Sequence, residues 1–417
     1  MRIEDLVSMD AQGDFRSDVQ LSDYETLALN QGLLRNYIFT VHAPTAYSAA
    51  QRSLSAKDVL EQLKSLFTFA GENRIALIAN YGHGKSHLAL VLANFFARPA
   101  NSEEVKIILG RLEQALNNAS QVAGYRDFKK SKGEFLVIRL QGDAISDLQE
   151  GFMRALEQAL REHKATREIE IPFWHHHAET WLRNLHGEGR EKAEAFLVTQ
   201  NTDLPSLLSG LRRQGAYELV RGVFKHVTGA YPDFGREVSL EDLVVWAVDE
   251  VCIPHQLGGL LVLFDEFSLF LQKYMAARTV GKLQELLNGI SKRQGKSVFL
   301  AFAQQDIDTV AETYAQARQR LEDVKKELER LPKDKRVRLH SLMESVLGSY
   351  LKQNDLTWQS WYTRERAVKA TLVQARESLL KYFGKHYTED LQWNPEAVEQ
   401  KVSKGCFPLH PLTTAIL

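Results

Sequence analysis

The sequence predicts an α/β protein, a parallel sheet flanked by helices with its chemistry at the carboxyl ends of the strands. Three features point there. An apolar run, Ile75 to Ile78, enters a glycine-containing turn that ends in Gly84-Lys85-Ser86, and the apolar helical stretch HLALVLANFF follows at once. A second run, LLVLF from Leu260 to Phe264, is bounded by Gly258-Gly259 and ends in the paired carboxylates Asp265 and Glu266. Two further apolar stretches, EFLVIRLQG (134–142) and KSVFLAFAQQD (296–306), are separated from these by helical segments. Unbroken apolar runs of this length suit strands covered on both faces, as in parallel sheets.

The octapeptide ANYGHGKS, Ala79 to Ser86, has the strand–loop–helix setting of a phosphate-binding P-loop. The N–H groups of Asn80, Tyr81, Gly82, His83 and Gly84, with those of Lys85, Ser86 and His87 at the helix start, would cradle phosphate. Lys85 would neutralise the β- and γ-phosphates of ATP, and the Ser86 hydroxyl would hold Mg²⁺. Ala79 stands where the G-x-x-x-x-G-K-[ST] pattern has its first glycine. Gly82 and Gly84 still supply freedom where the backbone must wrap an anion. The P-loop needs a carboxylate partner, and LLVLFDE provides it. Asp265 would hold Mg²⁺, and Glu266 would be the base that orients and deprotonates the attacking water.

Along the chain, residues 1–54 read as an extension that docks on the nucleotide-binding unit or on a neighbouring subunit. Ser55 and Asp58 open a helix whose Val59, Leu60, Leu63, Leu66 and Phe67 share one face. This helix leads into the P-loop strand and begins a core expected over 55–338. Residues 101–130 read as surface helix. Asp143 is a candidate cap for the helix carrying Leu148, Phe152, Leu156 and Leu160. Residues 163–238 lack strand signals and read as a helical insertion. Its His175-His176-His177 run is a packing or surface cluster, because adjacent side chains diverge on a helix and chelate poorly. Ser239 and Asp242 begin the helix that leads to Gly258. Leu283, Leu286, Leu287 and Ile290 mark another amphipathic helix, before the strand that ends in Gln304-Gln305. Gln304 is the candidate for placing water beside the γ-phosphate. Next come the charged helix 308–330 and the basic stretch PKDKRVRLHS (332–341); Arg330 at the end of the first, with Arg336 and Arg338 in the second, are candidates for an arginine finger or for DNA-backbone contact. Residues 339–417 read as a helical lid. Its end on Ala-Ile-Leu, barely a turn into a helix, leads us to expect a longer protein.

Composition bounds the alternatives. The 417 residues carry 52 basic and 53 acidic side chains, a formal charge of −1, so any nucleic-acid contact would need a local patch. Two cysteines do not make a disulfide framework, and a reducing cytoplasm is the simpler setting. No apolar run reaches transmembrane length.

ANYGHGKS, LLVLFDEFS, the glutamine-ended strand and CFPLHPLTT together resemble the AAA+-like ATPases of BREX-type bacterial phage-resistance systems and related defence islands, over about residues 55–417. The resemblance implies the P-loop class with an added central strand, which would set Gln304 between Lys85 and Glu266. It also implies ATP and Mg²⁺, a homo-oligomer with sites between subunits, and a defence complex containing a DNA methyltransferase or nuclease, with double-stranded DNA a candidate partner. A signalling-type nucleotide switch and a replication or repair loader are the alternative functions.

Overall fold

The structure, a computed structural model, describes residues 2–9, 19–41, 52–80, 82–171, 173–211, 216–232, 239–276, 281–314, 318–340, 343–390 and 393–416. The strands, in chain order, are β1 (Val7–Met9), β2 (Ser53–Leu54), β3 (Arg74–Ile78), β4 (Leu136–Gln141), β5 (Leu260–Asp265), β6 (Ser297–Ala303), β7 (Arg336–Leu339) and β8 (Leu351–Gln353). Six form one sheet in the order β2-β7-β3-β6-β5-β4, and every pairing in it is parallel. The α/β expectation is met. β6 lies between β3 and β5, so the strand tips that carry Ala79, Gln304 and Glu266 are neighbours.

Strand alternation explains why the sheet holds two apolar layers. From β5, Leu260, Val262 and Phe264 face one layer, with the helices Leu148–Glu162, Phe267–Ala276 and Lys282–Ser291. Leu261 and Leu263 face the other, which contains the helices Ala56–Leu66, Lys85–Ala97 and Glu103–Leu116. Helix Lys85–Ala97 is apolar nearly all round because it is enclosed: Leu88 to Ala93, Phe95 and Phe96 are all fully buried. The Ser55 cap forms as expected, its side chain accepting from the Asp58 N–H at 3.2 Å. The Asp143 cap does not form. Asp147 accepts from the Glu150 N–H at 2.9 Å instead, since Asp147 immediately precedes the first helical residue.

Residues of the N-terminal segment pack on the core. Leu21, Tyr24, Leu33, Leu34, Tyr37 and Phe39 join the same apolar layer as helix Lys85–Ala97. Asn30 and Asn94 exchange two buried amide hydrogen bonds of 2.8 Å. The Tyr24 ring lies between the Arg98 and Arg139 guanidiniums, at 4.6 and 4.0 Å. β2 extends the main sheet beside β7, so the sheet runs across the sequence boundaries at 54 and 338. β1 pairs antiparallel with β8, joining the start of the chain to its C-terminal helical part.

The insertion between β4 and β5 contains the helices Phe173–Arg183, Gly187–Thr199, Leu204–Ser209 and Ala216–Thr228, which share a small core of their own. The side chains of His175 and His176 lie outside the described residues. After β8 the chain is helical, with Leu379, Tyr387, Trp393, Val398 and Val402 packed together. No helix among the described residues is long and apolar enough to cross a membrane.

Asn73 sets the start of β3. Its fully buried amide donates to the Ile290 carbonyl at 2.7 Å and the Ser297 carbonyl at 2.8 Å, tying β3 to β6 and to the helix before it. Asn73→Ala removes both hydrogen bonds, although the Ile290 carbonyl keeps the Arg293 N–H and the Ser297 hydroxyl as donors. Urea unfolding should show a loss of roughly 1–3 kcal/mol with an unchanged m-value.

Candidate active site

The loop after β3 is shaped by backbone more than by space. Gly82 and Gly84 take φ of +82° and +72°, and an added Cβ at either would meet nothing within 4 Å. Left-handed backbone, not crowding, is what glycine satisfies at both positions. Ala79 does not take a positive φ, and its N–H donates to the Ala303 carbonyl at 3.1 Å. Alanine therefore fits where the motif has glycine. Gly84 is the N-cap of helix Lys85–Ala97, whose amino end opens toward the carboxyl tips of β5 and β6.

Lys85 is only 6% exposed, and its Nζ donates to the Ala79 and Asn80 carbonyls, each at 2.8 Å. Burial lowers its pKa, and the nearby Glu266 and Asp265 carboxylates act against that shift. Asp265, the last residue of β5, is 2% exposed. Burial raises its pKa, while a hydrogen bond from the Ser86 hydroxyl and the Glu266 N–H, at 2.9 Å from Oδ1, opposes the rise.

Glu266 takes φ +51°, a left-handed conformation that non-glycine residues rarely adopt and that gathers at functional sites. Its Oε2 accepts from Gln304 Nε2 at 2.9 Å. Gln304 is itself fixed, its N–H donating to Ser268 Oγ at 3.0 Å. Burial raises the Glu266 pKa first, then repulsion from Asp265; Lys85 and the Gln304 hydrogen bond pull it back.

These groups border one cleft of about 450 Å³. Gly82, His83, Gly84, Lys85 and Ser86 form its floor, with Asp265, Glu266 and Gln304 on one flank. Tyr37, Ile38 and Thr40 close it from the N-terminal segment, and Leu339 at the end of β7, with His340 and Val346 after it, from the other side. Oxygen donors on Ser86 and Asp265 suit a hard cation such as Mg²⁺, which keeps waters and takes few protein ligands. Among the described residues no three His, Cys, Asp or Glu side chains converge to chelate a metal directly.

Several expected roles change. His87 borders the cleft, but its ring nitrogen contacts the Leu33 carbonyl at 2.8 Å, and burial takes its pKa down to about 4. Asn80 gives its carbonyl to Lys85, and Tyr81 lies outside the described residues. Arg336 is corrected as an arginine finger. It is buried in β7, where its guanidinium bonds the Leu331 and Leu328 carbonyls at 3.0 and 2.8 Å and Asp308 at 2.7 Å. Arg330 and Arg338 are exposed, and neither borders the cleft. Sequence reasoning missed Gln141 and Asp143, which border the cleft from the end of β4. Their place at a strand's carboxyl end was the available signal.

A carboxyl whose pKa is raised in the folded chain binds its proton more tightly there than in the unfolded chain. Stability then falls as pH rises from the ordinary carboxylate range through the folded pKa. Removing the Glu266 charge should reverse that loss. Glu266→Gln is expected to melt above the parent at pH 7–8, with the gap closing as pH falls to about 4. An equal Tm at every pH would contradict this assignment of charge strain.

No family model matches the chain, and no curated protein or solved structure matches it either.

Proposed function

We propose that the chain binds and hydrolyses ATP with Mg²⁺, as a P-loop ATPase of the additional-strand, AAA+-like class. One observation carries the reading: Lys85, Asp265, Glu266 and Gln304 border a single cleft at the tips of three adjacent parallel strands, β3, β6 and β5. A glycine-shaped loop opening a helix beside a buried Asp-Glu pair is a combination that phosphoanhydride chemistry needs.

In this reading the loop N–H groups and Lys85 hold the β- and γ-phosphates, Lys85 leaving its two carbonyl partners to do so. Ser86 and Asp265 hold Mg²⁺, which supplies positive charge to the phosphate oxygens. Glu266 accepts a proton from water as that water attacks the γ-phosphorus. The bond from the bridging oxygen to the γ-phosphorus breaks, and ADP and phosphate leave. A raised Glu266 pKa brings the carboxylate closer to the value that suits a general base near neutral pH. Gln304 orients the base and the water.

The resemblance of the motifs to those of BREX-type systems supports a place in a bacterial anti-phage defence complex. There the hydrolysis would drive DNA scanning, remodelling or assembly, beside a methyltransferase or nuclease and within a homo-oligomer. Arg330 and Arg338, being exposed, are the remaining candidates for an arginine that acts on a neighbour's nucleotide. The Gln304–Glu266 hydrogen bond favours a second reading, a slow nucleotide switch, because it takes up one of the two carboxylate oxygens that could accept from water.

ATP hydrolysis with and without double-stranded DNA separates these readings. A DNA-driven motor should turn over faster with DNA. A switch should turn over slowly regardless. In either case Glu266→Gln should bind ATP but lose at least about 100-fold in kcat. Lys85→Ala should lose nucleotide binding in a fluorescence titration. Normal hydrolysis by Glu266→Gln would remove Glu266 from the base role.

A further inference from the structure

We propose that Asp143 is a positioning residue of this site, holding water molecules of the Mg²⁺ coordination shell from across the cleft. The inference rests on the ATPase reading and adds a residue to it. Its backbone is unusually well fixed for a position two residues beyond a strand. β4 pairs with β5 so that Gln141 lies opposite Asp265, and the Gly142 N–H donates to the Asp265 carbonyl at 2.9 Å. Gly142 sits so close to the next residue of β5's exit that an added Cβ would lie 2.2 Å from the Glu266 carbonyl oxygen. Lys273, on the helix that follows Glu266, donates to the carbonyl oxygen of Asp143. The backbone that carries Asp143 is thus fastened to the residues that carry Asp265 and Glu266.

The side chain is not used by any of this. Asp143 borders the cleft, and its carboxylate makes no hydrogen bond or ion pair among the described residues. It does not cap the following helix, since Asp147 does. Its charge reaches both Asp265 and Glu266 and adds to the repulsion they feel. Asp143 is exposed at the edge of the cleft, so its carboxylate stays hydrated and free to hold further water, and a cation bound beside Asp265 would feel its charge. Direct ligation does not fit, because no three carboxylates of the described residues converge on one point. Contact through a coordinated water does fit, and Mg²⁺ characteristically retains such waters.

Metal affinity tests this directly. Mn²⁺ binding to the full chain, followed by EPR with ADP present, is compared for the parent, Asp143→Asn and Asp143→Glu. Nucleotide affinity is measured in parallel with EDTA. Asp143→Asn should weaken Mn²⁺ binding by about tenfold, the usual effect of losing an outer-shell partner. Its metal-free nucleotide affinity should match the parent's, and Asp143→Glu should recover part of the loss. Unchanged Mn²⁺ affinity in Asp143→Asn, with nucleotide still bound, would overturn the role of Asp143 and leave the ATPase reading standing. Failure of the parent itself to bind nucleotide would overturn both.

Discussion

Lys85 brings a positive charge into a site where it is almost wholly covered, and it meets that charge with two carbonyl oxygens rather than with a carboxylate. Asp265 and Glu266 act on it from farther away. The consequence is an electrostatic imbalance on both sides. Burial makes the ammonium easier to deprotonate and the two carboxyls harder to ionise. Neither sign is fully compensated within the protein. A ligand that is itself an anion carrying a cation would compensate both, the anion toward Lys85 and the helix start, the cation toward Ser86 and Asp265. The rest of the fold keeps these unlike charges close while preventing them from collapsing onto one another.

It does so in part with left-handed backbone at the cleft. The loop takes two left-handed glycines, and the exit of β5 takes a left-handed glutamate. Gly142 admits the Glu266 carbonyl where any side chain would exclude it. Such positions are costly, of the order of 1–3 kcal/mol for a non-glycine outlier, and they persist only on a rigid support. That support is the double-faced apolar sheet, whose β5 and β6 are buried along their whole length. The strained tips and the ordinary core are therefore parts of one arrangement.

What the sequence made legible follows from the range of the signals. Buried strands announce themselves by unbroken apolar runs, and β3, β4, β5 and β6 were each readable that way. The loop and the Asp265-Glu266 pair were readable because their chemistry is local in sequence. β2 is two residues long and β7 is rich in arginine, so neither carries an apolar run. Arg336 looked like a free cation because charge in a sequence says nothing of burial. In the fold it satisfies two carbonyls and Asp308 at the edge of the core. Tyr37, Ile38 and His340 could not be read as cleft residues, since chain segments some 300 residues apart meet there only through the tertiary structure.

That meeting has a thermodynamic meaning. The cleft floor lies at the tips of the sheet, but its outer walls come from Val19, Gln20 and residues 36–40 on one side and from Leu339, His340 and Val346 on the other. The two walls are linked by the Thr40 hydroxyl, which donates to the His340 carbonyl at 3.3 Å and accepts from the Ala56 N–H at 2.9 Å. At greater distance they are linked again by the three-residue pairing of β1 with β8. A pair of strands so short contributes little stability by itself. A ligand that touched floor and walls together would add its binding free energy to these weak links, in proportion to its occupancy. Occupancy of the cleft and attachment of the two chain ends to the sheet are for that reason coupled quantities, and each must strengthen the other.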